Sequence, residues 1–167
     1  MGDRGGARVS AETTLGALVS AHAGAGRLDW IGLRPERKAP MREAQTARIA
    51  TTGLDGDRRE RPGARAVTLI QAEHLPVIAA LARREDVSFA VLRRNLAISG
   101  INLVALRKRE IRIGGAVLRI SGPCAPCSRM EAALGFGGYN AMRGHGGWCA
   151  EVVEEGDVAI GDEVAPA

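Results

Sequence analysis

Three cysteines and a group of arginines carry most of the chemistry this sequence can offer. Cys124 and Cys127 stand three positions apart in "GPCAPCSRM" (Gly122–Met130), and Cys149 follows His145 by four. Thiols at Cys-x2-Cys spacing can form a redox pair, hold a metal or do nothing chemical. The preceding "AVLRISG" reads as a strand, and "SRMEAALG" reads as the start of a helix. Cys127 then sits near a helix N-terminus, where the dipole and free N–H groups favour thiolate. Arg129 adds positive charge beside it. Cys127 is therefore a candidate nucleophile or soft metal ligand. Cys124 lies before the turn and has no such argument of its own.

Three chemical readings compete with inert, buried thiols. A thioredoxin-like pair fits the strand–Cys-Ala-Pro-Cys–helix order, but that fold needs a long βαββα stretch after the pair. Only 40 residues follow Cys127, and they read mostly as hairpins. A structural zinc site could draw on Cys124, Cys127, His145 and Cys149, a ligand set suited to closed tetrahedral coordination. Against it, His145 lies in the turn-like "RGHGGW", where a solvated histidine is commoner than a ligand. The third reading is one thiolate on a soft transition metal, with the other cysteines in the core.

The elements that would position these groups are many and short. Residues 1–24 read as an N-terminal tail carrying a candidate helix over Ser10–Ala23, and residues 25–165 as one domain. "GRLDWIGLRPERKAPM" opens with an extended run ending at Pro35. "REAQTARIATTGLDGDR" reads as a strand broken at Gly-Leu-Asp-Gly. "ARAVTLIQ", rich in β-branched residues, predicts a buried strand. "AEHLPVIAALARRED" predicts a helix with Pro76 tolerated in its first turn. "SFAVLRRNLAISGINL" passes from a short helix to an extended segment. Hairpins are expected at Gly114-Gly115 and at Gly156-Asp157, with Asp157 and Asp162 as turn residues. Short strands, Gly-rich turns and a few helices predict a mainly β (α+β) fold, a closed β-barrel with helical insertions. The regular alternation of a doubly wound sheet is missing.

The 167-residue length suits one domain with a real core. Net charge is +4, and 21 of the 23 basic residues are arginine. Those residues are dispersed among acidic ones without a binding motif, which argues against nucleic acid. No apolar run approaches the ~20 residues of a membrane span. "MGDRGGARVSAETT" lacks a signal-peptide core, and an odd cysteine count argues against a disulfide framework, so reduced thiols in the cytoplasm are expected.

From about Gly26 to Val164, the chain resembles a MOSC domain, the module related to the C-terminal part of molybdenum-cofactor sulfurases. The matching pieces occur in order. "GRLDWIGLRPERKAPM" is similar to the opening strand and basic turn, and "GLDGDR" to the Gly-x-x-Gly-Asp turn. "RAVTLIQAEHL" is similar to the Arg-x-Val-Thr strand, and "LRRNLAISGINL" to the Arg-x-Asn segment. "GGAVLRISGPCAPCSRM" resembles the strand ending in the family cysteine. "RGHGGWCAEVVEEGDVAIGDEV" resembles the closing hairpin with Gly-Asp.

The resemblance implies a barrel of the pyruvate-kinase-insert type. It also implies a molybdenum cofactor (molybdenum-molybdopterin) with Cys127 as the soft thiolate ligand, hence catalytic and metal-binding. The cofactor's phosphate needs anion-binding groups. Arg58, Arg65, Arg93, Arg94 and Arg143 fall in family-like motifs. Arg93 and Asn95 come first, and Asp57 is either an orienting carboxylate or a turn residue. The implied activity is reduction of an N-hydroxylated small molecule as Mo(IV) becomes Mo(VI). With no flavin or nicotinamide fingerprint, electrons would come from a separate reductase. The alternatives are a sulfur carrier bearing a Cys127 persulfide, and a non-catalytic cofactor-binding or zinc-stapled module.

Overall fold

The computed structural model describes residues 14–167. Its strands are β1 (Gly26–Leu33), β2 (Arg42–Ala44), β3 (Thr46–Ala50), β4 (Gly53–Leu54), β5 (Val67–Gln71), β6 (Leu96–Ser99), β7 (Glu110–Ile113), β8 (Ala116–Pro123), β9 (Trp148–Glu154), β10 (Gly156–Ala159) and β11 (Glu163–Pro166). The helices are α1 (Leu15–Ser20), α2 (His74–Ala82), α3 (Phe89–Leu92), α4 (Ser128–Leu134) and α5 (Gly138–Met142). The expected tail and the first residues of the helix predicted from Ser10 lie outside the described residues.

Seven strands close a barrel in the order β11-β7-β8-β9-β5-β6-β1, and β1 returns to β11 through Gly26 opposite Val164. Only the β5–β6 pair within this ring is parallel. β2 extends the sheet beyond β1, and β10, β3 and β4 form a separate three-stranded sheet. This is the mainly β closed barrel with helices that the sequence predicts.

β5, "VTLIQ", is buried at every position because its two faces meet two cores. Leu69 joins Leu96 and Ile98 of β6 in the barrel interior, with Leu28, Leu118 and Ile120. Ile70 and Ala97 point the other way, into a second cluster with Ile78, Leu92, Met130 and Met142 from α2 to α5. Burial on both faces explains a near-continuous apolar run where a one-sided strand would alternate. Each fully buried Leu or Ile contributes about 1.5–3 kcal/mol. The helices are thereby anchored over β5 and β6, and the segments entering and leaving them converge on the same side.

The structure corrects three local expectations. Gly156-Asp157 does not turn a hairpin: β9 pairs with β8 and β5, whereas β10 pairs with β3. The chain leaves the barrel at Glu155, whose carboxylate accepts the N–H and O–H of Thr51 at 2.8 and 2.7 Å. Asp157 is consequently a strand residue opposite Arg48, 3.6 Å from its guanidinium. Asp162 does serve a turn, accepting the Ala159 N–H at 2.8 Å. Finally, Gly53 and Leu54 are paired strand residues, and the reversal before them falls at Thr51-Thr52. No helix among the described residues is long and apolar enough to cross a membrane.

Candidate functional site

The Cys124–Cys127 segment joins β8 to α4, as its pattern predicts. Cys124 continues the ladder, its N–H donating to the Gly147 carbonyl at 2.8 Å. Cys127 is the N-cap residue of α4, in extended conformation (φ −134°, ψ 177°). Its thiol group is on an exposed residue, whereas Cys124 and Cys149 are buried. Two glycines let the opposite segment approach. A Cβ on Gly146 would lie 2.5 Å from the Cys124 carbonyl oxygen, and one on Gly147 (φ 87°) 2.0 Å from that of Leu69. No side chain fits either place.

Cys127 lines a small recess of about 120 Å³ with Arg34, Arg58, Arg93, Arg94, Arg129 and Met130. Arg34 and Arg58 also line an adjoining space of about 340 Å³ with Arg59, Glu60 and Arg61. The carboxylate paired with Arg34 is Asp57, with its side chain 1% exposed. Arg34 grips it bidentately, with Nε to Oδ1 at 3.0 Å and Nη2 to Oδ2 at 2.7 Å. Asp57 also accepts the backbone N–H groups of Arg34 and Arg59. Burial pushes its carboxyl up, but the Arg34 hydrogen bonds and charge and the Arg59 N–H outweigh this and hold it below the usual range. Asp57 thus holds an arginine, but that arginine is Arg34, which is not among those expected from the sequence.

Arg93 caps α3 in the left-handed region (φ 57°), an uncommon backbone state for a side chain of this size. Its Nη1 donates to the Ala39 carbonyl at 2.6 Å. Its Nη2 is buried and has no hydrogen-bond partner among the described residues. Burial, then the charges of Arg129, Arg34 and Arg58, push its pKa down. A cation under that pressure, with a buried donor left over, suits an anion.

The other expected site residues take different places. Asn95 is fully buried behind the recess. Its Oδ1 accepts from Arg34 Nη2 at 3.1 Å and from the Thr68 hydroxyl and N–H, and its Nδ2 donates to the Gly32 carbonyl. It is fully buried with both amide atoms bonded to protein, so it fixes Arg34 and does not face a ligand. Arg94 is also buried, donating to the carbonyls of Gly146 at 2.7 Å, Leu92 at 2.7 Å and Cys124 at 3.4 Å. It is the tie between three segments. Arg65 is exposed beside Cys149, outside the recess. Arg143 lies in a separate cleft with His145.

Cys124 follows the end of β8, and Cys149 lies on the neighbouring β9, opposite Gly122. The thiol of Cys124 donates to the sulfur of Cys149, which holds the Cys149 pKa at about 6, helped by Arg65 and Arg94. The same contact and burial push Cys124 far up. The zinc set does not assemble: Cys127 faces the arginine recess, while the imidazole of His145 packs edge-on against His74, ring centroids 5.0 Å apart. Among the described residues no group of three or more His, Cys, Asp and Glu is arranged to hold a metal ion.

Sequence reasoning missed Arg34, Arg59 and Arg61. Arg34 carried one usable signal, its place at the end of a strand in the basic turn "LRPERK", but nothing local pairs it with Asp57.

A family model, the MOSC domain, matches residues 36–165. No curated protein matches the chain. Among solved structures, the YuaD protein from Bacillus subtilis is similar over 84% of this chain and 94% of its own, with 19% identity and a TM-score of 0.74. YiiM from Escherichia coli is similar over 84% of this chain and 69% of its own, with 19% identity and a TM-score of 0.67. YiiM from Geobacillus stearothermophilus is similar over 85% and 75%, with 14% identity and a TM-score of 0.70. At these identities the likeness shows a shared barrel.

Proposed function

The chain belongs to the MOSC domain family, and from that premise we propose that its arginine recess holds the phosphate end of a molybdenum cofactor, with Cys127 as the protein's thiolate ligand. One observation carries this reading. Five guanidinium groups and an exposed thiol share a recess whose buried carboxylate, Asp57, is already committed to Arg34. The surplus positive charge and the unpartnered Arg93 Nη2 fit a phosphate, and a thiolate fits a soft metal.

Each side chain has a distinct task. Arg93 and Arg58 bind the anion, and Arg34 joins them from a position fixed by Asp57 and Asn95. Arg129 contributes charge beside Cys127. Arg94 positions the Cys124–Cys127 segment through its carbonyl bonds. When bound, the cofactor supplies a metal that cycles between oxidation states two electrons apart and can accept an oxygen atom. The reaction is reduction of an N-hydroxylated small molecule: two electrons and two protons convert N–OH to N–H and water. A separate reductase supplies the electrons.

The test uses protein purified with its cofactor, an aryl amidoxime and a chemically reduced viologen as electron donor. One amidine should form per two electrons consumed, and Cys127→Ser should abolish turnover. Failure of the loaded protein to reduce any N-hydroxylated compound would remove the reductase assignment and leave cofactor binding.

A further inference from the structure

On the other side of the Cys124–Cys127 segment lies a larger cleft, about 650 Å³, whose lining includes His74, Asn102, Tyr139, Arg143, His145 and Trp148. We infer that this cleft is a binding site for a planar aromatic or heteroaromatic acid. The inference does not depend on a cofactor in the arginine recess.

Four features support it. The volume falls within the range of small-molecule sites. The walls gather rings in a chain that has few: Trp148 and Tyr139 are two of only five Trp, Tyr and Phe residues, and both histidine rings stand with them. Val104, Pro123 and Pro126 add apolar surface. Flat walls of this kind favour flat ligands, stacked or edge-on.

The polar groups specify charge. Arg143 has no carboxylate partner among the described residues, and its guanidinium donates one long hydrogen bond, 3.5 Å to Asn140 Oδ1. Among the described residues no Asp or Glu lines the cleft. The nearest carboxylate on the adjoining groove, Glu73, is taken by Gln71 Nε2 at 2.5 Å and the Gly100 N–H at 2.7 Å. The Nδ1 of His145 is buried without a hydrogen-bond partner among the described residues. Burial and the neighbouring His145 hold the pKa of His74 down. Near neutral pH His74 is therefore an uncharged imidazole, and Arg143 is the group that meets the carboxylate. A guanidinium binds a carboxylate in two parallel hydrogen bonds, which fixes the acid end while the rings hold the plane.

The chain has three histidines, so their imidazole proton resonances report the site directly. The probe is 2-naphthoate, with 2-naphthamide as the uncharged counterpart. Titration into the cofactor-free protein should shift His74 and His145 saturably. The amide, or naphthoate with Arg143→Met, should bind about tenfold more weakly, as expected for loss of a charge-assisted contact. Arg93→Met, on the far side of the segment, should leave naphthoate binding unchanged. Absence of a saturable shift overturns the site. Equal affinity for acid and amide overturns its charge preference. Loss of binding in Arg93→Met instead of Arg143→Met assigns the acid to the arginine recess and overturns the proposal. A shift confined to His22, in the adjoining groove, does the same.

Discussion

The two sides of the Cys124–Cys127 segment are built on opposite principles. On one side five guanidinium groups crowd around an exposed thiol, restrained by one buried carboxylate. On the other, two imidazoles and two aromatic rings face a single free arginine, with no carboxylate in the lining. Arg94 is the partition: its guanidinium lines the recess while its donors hold the Gly146 and Cys124 carbonyls of the cleft wall. The recess stores unfavourable like-charge contact that an anion would relieve. The cleft stores almost none. The two sides should therefore respond very differently to substitution.

The largest difference is expected at Asp57. Asp57→Ala leaves Arg34, whose side chain is only 13% exposed, without its counter-charge among other arginines. Removing one partner of such a pair costs roughly 3–5 kcal/mol. Arg143→Met, on the exposed side, should change stability by less than about 0.5 kcal/mol. Urea unfolding of both variants measures the contrast, and equal losses would break it.

Arg94→Met comes next, since it leaves buried carbonyls of Gly146 and Leu92 without donors, at roughly 1–3 kcal/mol for each group left unpaired. It should loosen both sides at once. A variant that disturbed only one side would show that Arg94 is not the partition.

A smaller effect is expected at Arg93. Arg93→Met removes a buried, unpartnered donor and one of the mutually repelling charges. These gains offset the lost hydrogen bond to the half-buried Ala39 carbonyl, so stability without ligand should change little, while thermal stabilisation by inorganic phosphate should fall. Unaltered stabilisation by phosphate would take Arg93 out of the anion site.

The last contrast concerns pH and the thiol pair, which lies outside the recess. Cys149 has a folded pKa of about 6, against 9.0 for an ordinary thiol. A depressed acid contributes stability that is present above the unfolded value and lost as pH falls towards the folded one. Cys124 is shifted up, so its contribution is present below 9.0 and fades above it. Stability should then climb from pH 6 to 9 by this pair and decline beyond, and Cys149→Ser should flatten the climb. Melting curves across that range decide it.

The fold was legible wherever pattern and pairing are local. "VTLIQ" announced a buried strand through its β-branched run, Gly114-Gly115 announced the β7–β8 turn, and "SRMEAALG" put Cys127 at a helix start. The closed ring followed from many short strands. Long-range pairing was not legible. β10 leaves β9 for β3 because Glu155 binds Thr51, 104 residues earlier, so the apparent hairpin at Gly156-Asp157 never forms. Site chemistry divides in the same way. Arg93 and Asn95 were found as neighbours in one motif, yet one faces the recess and the other is sealed behind it. Arg34 meets Asp57 across 23 residues, and the His74–His145 contact joins distant helix and loop, and no local spacing encodes either.

The measurement that bears most directly on the account is metal and pterin content of the protein produced in a host that makes molybdenum cofactor, compared with Cys127→Ser. The account predicts about one molybdenum and one pterin per wild-type chain. Cys127→Ser should lose the metal while melting at nearly the wild-type temperature, because the residue is exposed. Molybdenum retained in Cys127→Ser, or stoichiometric zinc in its place in the wild type, would contradict it.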